Sequence, residues 1–427
     1  MLQRRLALII LLFAASLAPA EAQLRGHGGP VRALALSRDG VELVSGSFDS
    51  TAIRWSLNTG TAETVLRFHE GALNAVAFLG DGRLATSGED GRIALWQKGQ
   101  DKPVDIFTGH GAPVVQLAVS ADGQTLASAS WDGTARLWPL AGGASRVLEG
   151  HRQNVNGVAF TRDGRALVSV GYDATLRIWP LADPGSPRIV TLPSPLNAVA
   201  VAQSGEIVVA GASGKVYFLS AGGDAAGEVA AADAPLIALA ISGNDKRIAA
   251  SSIKGAVAII DRDRRTVART LVGPGLPAWA VLFLPDSRGL LTGGADRVIR
   301  RWNSETGEQI GEVVLGGAVD PLAGFETEPG AQVFRACVAC HTLKPQDGPR
   351  AGPTLAGVFG RKIASLPGYD FSPALKNLDI VWTPQTLSKL FELGPAAYTP
   401  GSKMPEQKVG AEDRSELIRF LQKATMN

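Results

Sequence analysis

Along the first three quarters of the chain, apolar residues alternate with polar ones in runs of four to six, and a turn closes each run. The same phrase recurs: "GSFDSTAIRW", "SGEDGRIALW", "ASWDGTARLW", "VGYDATLRIW" and "GGADRVIRRW", ending on Trp55, Trp96, Trp138, Trp179 and Trp302. Two diverged copies, "GASGKVYFL" and "SSIKGAVAII", put Leu219 and Ile260 in the tryptophan place. Steps between the seven positions are 41, 42, 41, 40, 41 and 42 residues. Period-two alternation predicts strands with one buried face, and a repeat near 40 residues holds several short strands with tight turns such as Asp90-Gly91 and Asp132-Gly133.

The polar positions of the units are as regular as the apolar ones. Gly26-His27, Gly109-His110 and Gly150-His151 precede the turns of three units, and His69 stands in the same place without its glycine. With these dipeptides and the terminal tryptophans, residues 24 to 315 resemble the WD-repeat family, whose units are four-stranded propeller blades. The resemblance implies an all-β, seven-bladed propeller and the pairings His27 with Asp49, His69 with Asp90, His110 with Asp132 and His151 with Asp173. Units five and six carry Ser213 and Lys254 in the aspartate place, and unit seven keeps Asp296 and Trp302 but lacks the histidine. Histidine, aspartate and a hydroxyl residue in each of the first four units invite comparison with a hydrolase triad, but a catalytic site is needed once, and a trio repeated blade after blade is bracing. For closing the ring, Glu308 to Leu315 is the favoured outer strand of the last blade, since little chain precedes His27.

After Leu315 the alternation stops, and the Gly- and Pro-rich residues 316–324 read as a linker to a second domain, 325–427. Thr327 or Glu328 caps a predicted helix with Pro329 in its first turn, running to "CVACH". A second helix spans Ala411 to Ala424, with Leu417, Ile418 and Leu421 on one face. Cys-x-x-Cys-His is the attachment pattern of c-type haem: Cys337 and Cys340, one helical turn apart, reach both vinyl groups of one porphyrin, and His341 faces the iron. A thioredoxin-like dithiol expects a βαβ surround, and a zinc site needs more Cys or His ligands than this domain holds. Only Met404 and Met426 remain after removal of an N-terminal leader, and Met426 is penultimate, so elimination leaves Met404 as the second axial ligand.

"GPTLAGVFGRK", "PGYDFSPALK", "VWTPQTLSKLF", "PGSKM" and "ELIRFLQKAT" follow "CVACH" in an order and spacing that closely resemble class I cytochrome c. The resemblance implies a small all-α domain with one covalent haem c. It implies His341 as the proximal ligand oriented by the carbonyl of Pro353, Met404 as the distal ligand, and Arg361, Trp382 and Ser402 bonding the buried propionates. It also brings Gly330 and Phe334 against Leu417 and Phe420. Phe371 and Phe391 depart from the family, which commonly has tyrosines there. Lys362, Lys376 and Lys403 are candidates for steering acidic partners to the haem edge, or are ordinary solvated lysines.

The ends and the composition narrow the function. Arg4 and Arg5, the apolar run Leu6 to Ala18 and small residues at Ala18 to Ala22 form a secretory signal, 1–22, cleaved near Ala20 or Ala22. Pro19 and Glu21 stop the run short of a membrane span, so the mature chain is expected in the periplasm without membrane insertion. A net charge of +2 without a basic stretch argues against nucleic acid. All five histidines have a place, four in blades and one on haem, leaving none for a second redox metal. The expected function is a periplasmic one-electron carrier rather than a catalyst, with a redox partner and a propeller that docks a protein. Two alternatives differ in class. An oxidoreductase with its substrate in the propeller would be reduced by a small molecule alone, and a redox-sensing scaffold would bind its partner differently in the two haem states.

Overall fold

The computed structural model describes residues 23–182, 185–273, 275–310, 322, 324–325, 327–335, 337–338, 340–404 and 407–425. The signal segment 1–22, most of the linker and Met426 lie outside them. Residues 24–310 form a ring of seven antiparallel sheets. Blade 1 is Val31–Leu36, Glu42–Ser47, Thr51–Ser56 and Thr61–Arg67, innermost strand first. Blades 2 to 6 repeat this meander over 73–107, 114–148, 155–191, 196–230 and 236–272. The first strand of each blade packs on the first strand of the next, and that of blade 1 packs on Ala278–Phe283 of blade 7, which closes the circle.

Closure uses the expected C-terminal strand and an N-terminal one besides. Leu24 and Arg25 pair with Ile299 and Val298, while Gln309 and Ile310 pair with Trp302 and Arg301, so both ends of the propeller share one edge. Leu24 explains the N-terminal share: its side chain is buried with Ile299, Leu291 and Trp55 between blades 7 and 1. Of the expected strand Glu308 to Leu315, residues 311–315 lie outside the described residues.

A relay of polar groups crosses blades 1 to 4. In blade 3 the Trp138 indole donates to Ser128 Oγ at 2.8 Å, Ser128 Oγ lies 2.7 Å from His110 Nε2, and His110 Nδ1 lies 2.7 Å from Asp132. Blades 1, 2 and 4 repeat it through Ser45, Thr86 and Ser169, with His27, His69 and His151 each 3.0 Å from their aspartates. Blades 5 and 6 replace the hydroxyl and the tryptophan together, by Val209 with Leu219 and by Ala250 with Ile260, all fully buried. Exchanging both partners for apolar groups leaves no orphaned donor, so these blades lose the relay at little cost.

Among the described residues the C-terminal domain has five α-helices: α1 Pro329–Phe334, α2 Pro373–Lys376, α3 Pro384–Leu393, α4 Pro395–Tyr398 and α5 Ala411–Thr425. Glu328 is the N-cap of α1 but caps nothing with its side chain, which pairs with Lys423 of α5. Thr383 and Thr386 form a reciprocal capping box at α3. Helices α1 and α5 pack face to face, and Gly330 permits it: a Cβ there would lie 2.1 Å from the Glu416 carbonyl oxygen and 2.6 Å from Phe420 Cβ. Phe334, Leu417, Phe420 and Leu421 form the core with Leu387, Leu390 and Phe391 of α3.

Candidate functional site

Beyond α1 the chain turns tightly through the cysteine motif. The amides of Cys340 and His341 both donate to the Cys337 carbonyl, at 3.0 and 2.9 Å, which places both thiols and the imidazole along one wall. That wall bounds a cavity of about 600 Å³ lined by Cys337, Cys340, His341 and Met404. Leu355, Val358, Leu387, Leu390, Phe391 and Leu421 supply apolar lining. His341 Nδ1 lies 2.8 Å from the Pro353 carbonyl oxygen, and a carbonyl can only accept, so Nδ1 carries the proton and Nε2 keeps its lone pair. Burial lowers the His341 pKa, keeping the ring neutral against the opposing bond to Pro353. Burial likewise pushes the Cys337 thiol up to about 12 and the Cys340 thiol up to about 11, the latter helped by the negative charge of Asp49.

Across the cavity, Met404 sits on a loop held at both ends. Ser402 N donates to the Thr399 carbonyl at 3.0 Å, Met404 N donates to Ser402 Oγ at 3.1 Å, and Ser372 Oγ donates to the Gly401 carbonyl at 2.9 Å. Arg361 and Trp382 line a third side, where an isolated β-bridge joins Lys362 to Val381 and Trp382 N donates to the Arg361 carbonyl at 2.9 Å. The Arg361 guanidinium is anchored on the carbonyls of Thr354 and Ala356, at 2.9 and 3.1 Å. All eight residues singled out in the sequence, Cys337, Cys340, His341, Pro353, Arg361, Trp382, Ser402 and Met404, therefore border one cavity.

This donor set fits a covalent porphyrin. Two uncharged thiols stand on the wall, a neutral imidazole has one nitrogen tied down and one free, a thioether lines the same space, and the rest is apolar. Among the described residues no group of three or more His, Cys, Asp or Glu could hold a bare metal ion.

The three candidate lysines part company. Lys362 pairs with Asp379 at 3.0 Å and Lys376 with Asp370 at 3.1 Å, while Lys403 donates to the backbone carbonyl of His69 in the propeller. Sequence reasoning also missed residues that line the cavity. Tyr369, two positions before Phe371, lines it and donates its hydroxyl to the Ala351 carbonyl at 2.6 Å. Gly28, Asp49, Arg67 and Glu70 reach it from blades 1 and 2, and no local pattern could have announced residues that meet the site only through domain packing.

Comparison with known proteins agrees with this geometry. The WD domain, G-beta repeat family model matches residues 20–56, 60–97, 101–139, 142–180 and 265–303, and the Cytochrome c model matches 327–425. Residues 181–264, which hold blade 5 and the first three strands of blade 6, are unmatched. Similar proteins include cytochrome c of Cochliobolus lunatus, 41% identical over 107 residues that make up 24% of this chain and 98% of that protein. Cytochrome c of Arabidopsis thaliana is 40% identical over 102 residues, 23% of this chain and 90% of that protein. Cytochrome c2 of Blastochloris viridis is 35% identical over 113 residues, 26% of this chain and 88% of that protein. Fold and site together define a seven-bladed WD-repeat propeller fused to a haem-bearing electron-transfer domain. Through that domain the chain belongs to the cytochrome c family, and its cofactor is a covalently bound haem c with its iron.

Proposed function

We propose that this chain is a periplasmic electron carrier whose single haem iron is held between His341 and Met404, and whose propeller docks a protein partner. The observation that carries the reading is the meeting of Cys337, Cys340, His341 and Met404 on one apolar cavity. Bound haem c supplies a reversible one-electron couple, and His/Met ligation sets it toward higher potential. Cys337 and Cys340 hold the porphyrin by thioethers. The Pro353 carbonyl fixes the ring angle and tautomer of His341 and strengthens it as a donor. The Ser402 and Ser372 bonds keep the Met404 loop in place, so that its thioether would stay beside the iron and leave no room there for substrate. Arg361, Trp382 and Ser402 line the same cavity and would offer donors to the propionates. Apolar walls from α3 and α5 exclude water, so little reorganisation accompanies the change of charge.

Export rests on the leader pattern at 1–22. Docking rests on the propeller rim: Trp131 and Tyr172, each one position before the turn aspartate of its blade, are 46% and 50% exposed, and exposed aromatics of this kind anchor protein interfaces.

The test uses exported, purified full-length protein. One haem per chain is expected, with an iron–sulfur absorption in the oxidised form that Met404→Ala removes. Replacing Trp131 and Tyr172 by alanine slows reduction by a periplasmic extract. Catalytic reduction by a small molecule without any protein would instead establish an oxidoreductase, and a colourless exported chain would end the haem reading.

A further inference from the structure

The cytochrome domain is not held by its linker alone. Arg67, at the end of the outer strand of blade 1, donates through Nη2 to the carbonyls of Arg350 and Ala351 at 2.6 and 3.1 Å. Its guanidinium also lies over the Tyr369 ring, 4.2 Å from the centroid. Arg350 returns the contact by donating to the Arg25 carbonyl at 3.0 Å, and Ala351 N donates to the Gly26 carbonyl at 3.2 Å. Lys403, one residue before Met404, donates to the carbonyl of His69. The receiving loops are those that carry the relay histidines of blades 1 and 2, and Asp49 fixes the first of them by accepting from both His27 and Gly28 N.

Two further observations tie this contact to the cavity. Gly28 abuts the haem-attachment motif itself: a Cβ on it would lie 2.7 Å from Cys340 Sγ, a sulfur that thioether formation would leave no freedom to move aside. Arg67 lines the cavity, and its remaining donor, Nε, is buried without a hydrogen-bond partner among the described residues. A buried guanidinium nitrogen without an acceptor is costly, and the carboxylates of a porphyrin are the acceptor class this cavity is built to receive.

We propose, resting on the haem reading above, that the haem site is shared between the domains: blades 1 and 2 close the cleft beside Cys340, and Arg67 donates to a carboxylate of the bound porphyrin. The propeller is then the cytochrome's own docking partner on this side, and only the rest of its rim is left for another protein. A wall that excludes water from the haem edge raises the potential and slows exchange with small reagents.

The test compares full-length holoprotein with Gly28→Phe, which wedges the cleft open, and Arg67→Gln, which removes the cation and the stacking but disturbs no strand pairing. In the wild type the Arg350–Ala351 bond is expected to resist trypsin, because Arg67 of blade 1 engages the carbonyls of both residues. Both variants are expected to be cut there, to show a lower midpoint potential, and to be oxidised several-fold faster by ferricyanide and by a cationic cobalt complex alike. A common rise with both reagents marks lost shielding, whereas a charge effect alone would move them in opposite directions. Haem content per chain separates the failures. A wild-type protein without haem overturns the haem reading and this inference with it. Haem-loaded variants that match the wild type in potential, oxidation rate and trypsin pattern overturn the shared site alone.

Discussion

His341 Nδ1 stands 2.8 Å from the Pro353 carbonyl oxygen, and that bond leaves Nε2 as the one nitrogen free to ligate. Met404 lines the same cavity, and its backbone amide is tied to Ser402 Oγ. Met404→Ala is expected to retain covalent haem, because Cys337 and Cys340 are untouched, and to lose the sixth ligand. The variant should bind cyanide or imidazole at concentrations that leave the wild type unchanged, and its potential should fall, since loss of Met/His ligation lowers it. Optical titration and potentiometry read both effects, and ligand binding equal to the wild type would remove Met404 from the iron.

The contact between α1 and α5 gives a prediction about stability alone. Gly330→Ala pushes a methyl into the Glu416 carbonyl and Phe420 Cβ, backbone and core rather than a yielding side-chain end. Overpacking of this kind costs about 1–3 kcal/mol. The haem domain should unfold at lower denaturant, read by the Soret band, while the near-ultraviolet signal of the propeller tryptophans keeps its midpoint. A common shift of both transitions would show instead that the domains unfold as one unit.

How much of this was legible in the sequence follows from the range of each interaction. Strand alternation and the spacing of Trp55, Trp96 and Trp138 are local and recurrent, and they yielded the seven blades without structural help. The haem motif is local too, and Met404 emerged because few methionines compete with it. Ring closure was half read: Gln309 and Ile310 do pair on the edge of Val298–Asn303, but the N-terminal share is decided by burial of Leu24 between two blades, which no pattern within either end records. Arg67 and Gly28 were invisible for the same reason: each looks like an ordinary blade residue until the cytochrome domain is laid against it.

The relay of blade 3 separates a hydroxyl that braces from one that does not. Ser128→Ala removes the acceptor of the Trp138 indole and the partner of His110 Nε2 in a fully buried place. Two unsatisfied groups at roughly 1–3 kcal/mol each predict a loss of about 2–6 kcal/mol. Ser251, in blade 6, is equally buried, yet its hydroxyl has no partner among the described residues. Ser251→Ala should therefore be neutral or mildly stabilising. Denaturant midpoints of the two variants decide the matter, and equal losses would mean that the methyl-for-hydroxyl exchange, not the relay, sets the cost.

Acid should weaken the propeller in two stages that the relay itself defines. Burial lowers the pKa of His110 and His151 against the pull of Asp132 and Asp173, so the folded protein takes up these protons later than the unfolded chain. Their contribution is complete above about pH 6.5, the unfolded value, and shrinks as pH falls below it. The carboxylates act lower down. Burial would raise Asp49 and Asp173, but His27 and its hydrogen bonds hold Asp49 at about 2, and bonds from the Arg152 amide, His151 and Thr175 hold Asp173 at about 2. A carboxyl depressed below its unfolded value near 3.9 stabilises fully above about pH 4, and that stability is lost as pH falls toward 2. The unfolding midpoint should thus decline gently from pH 6.5 to 4 and more steeply below. His110→Gln, which keeps a polar group without a titrating one, should reduce the first decline, and Asp173→Asn the second. Denaturation followed by near-ultraviolet circular dichroism across this range provides the measurement, and a midpoint constant from pH 7 to 3 would mean that the relay carries no proton-linked stability.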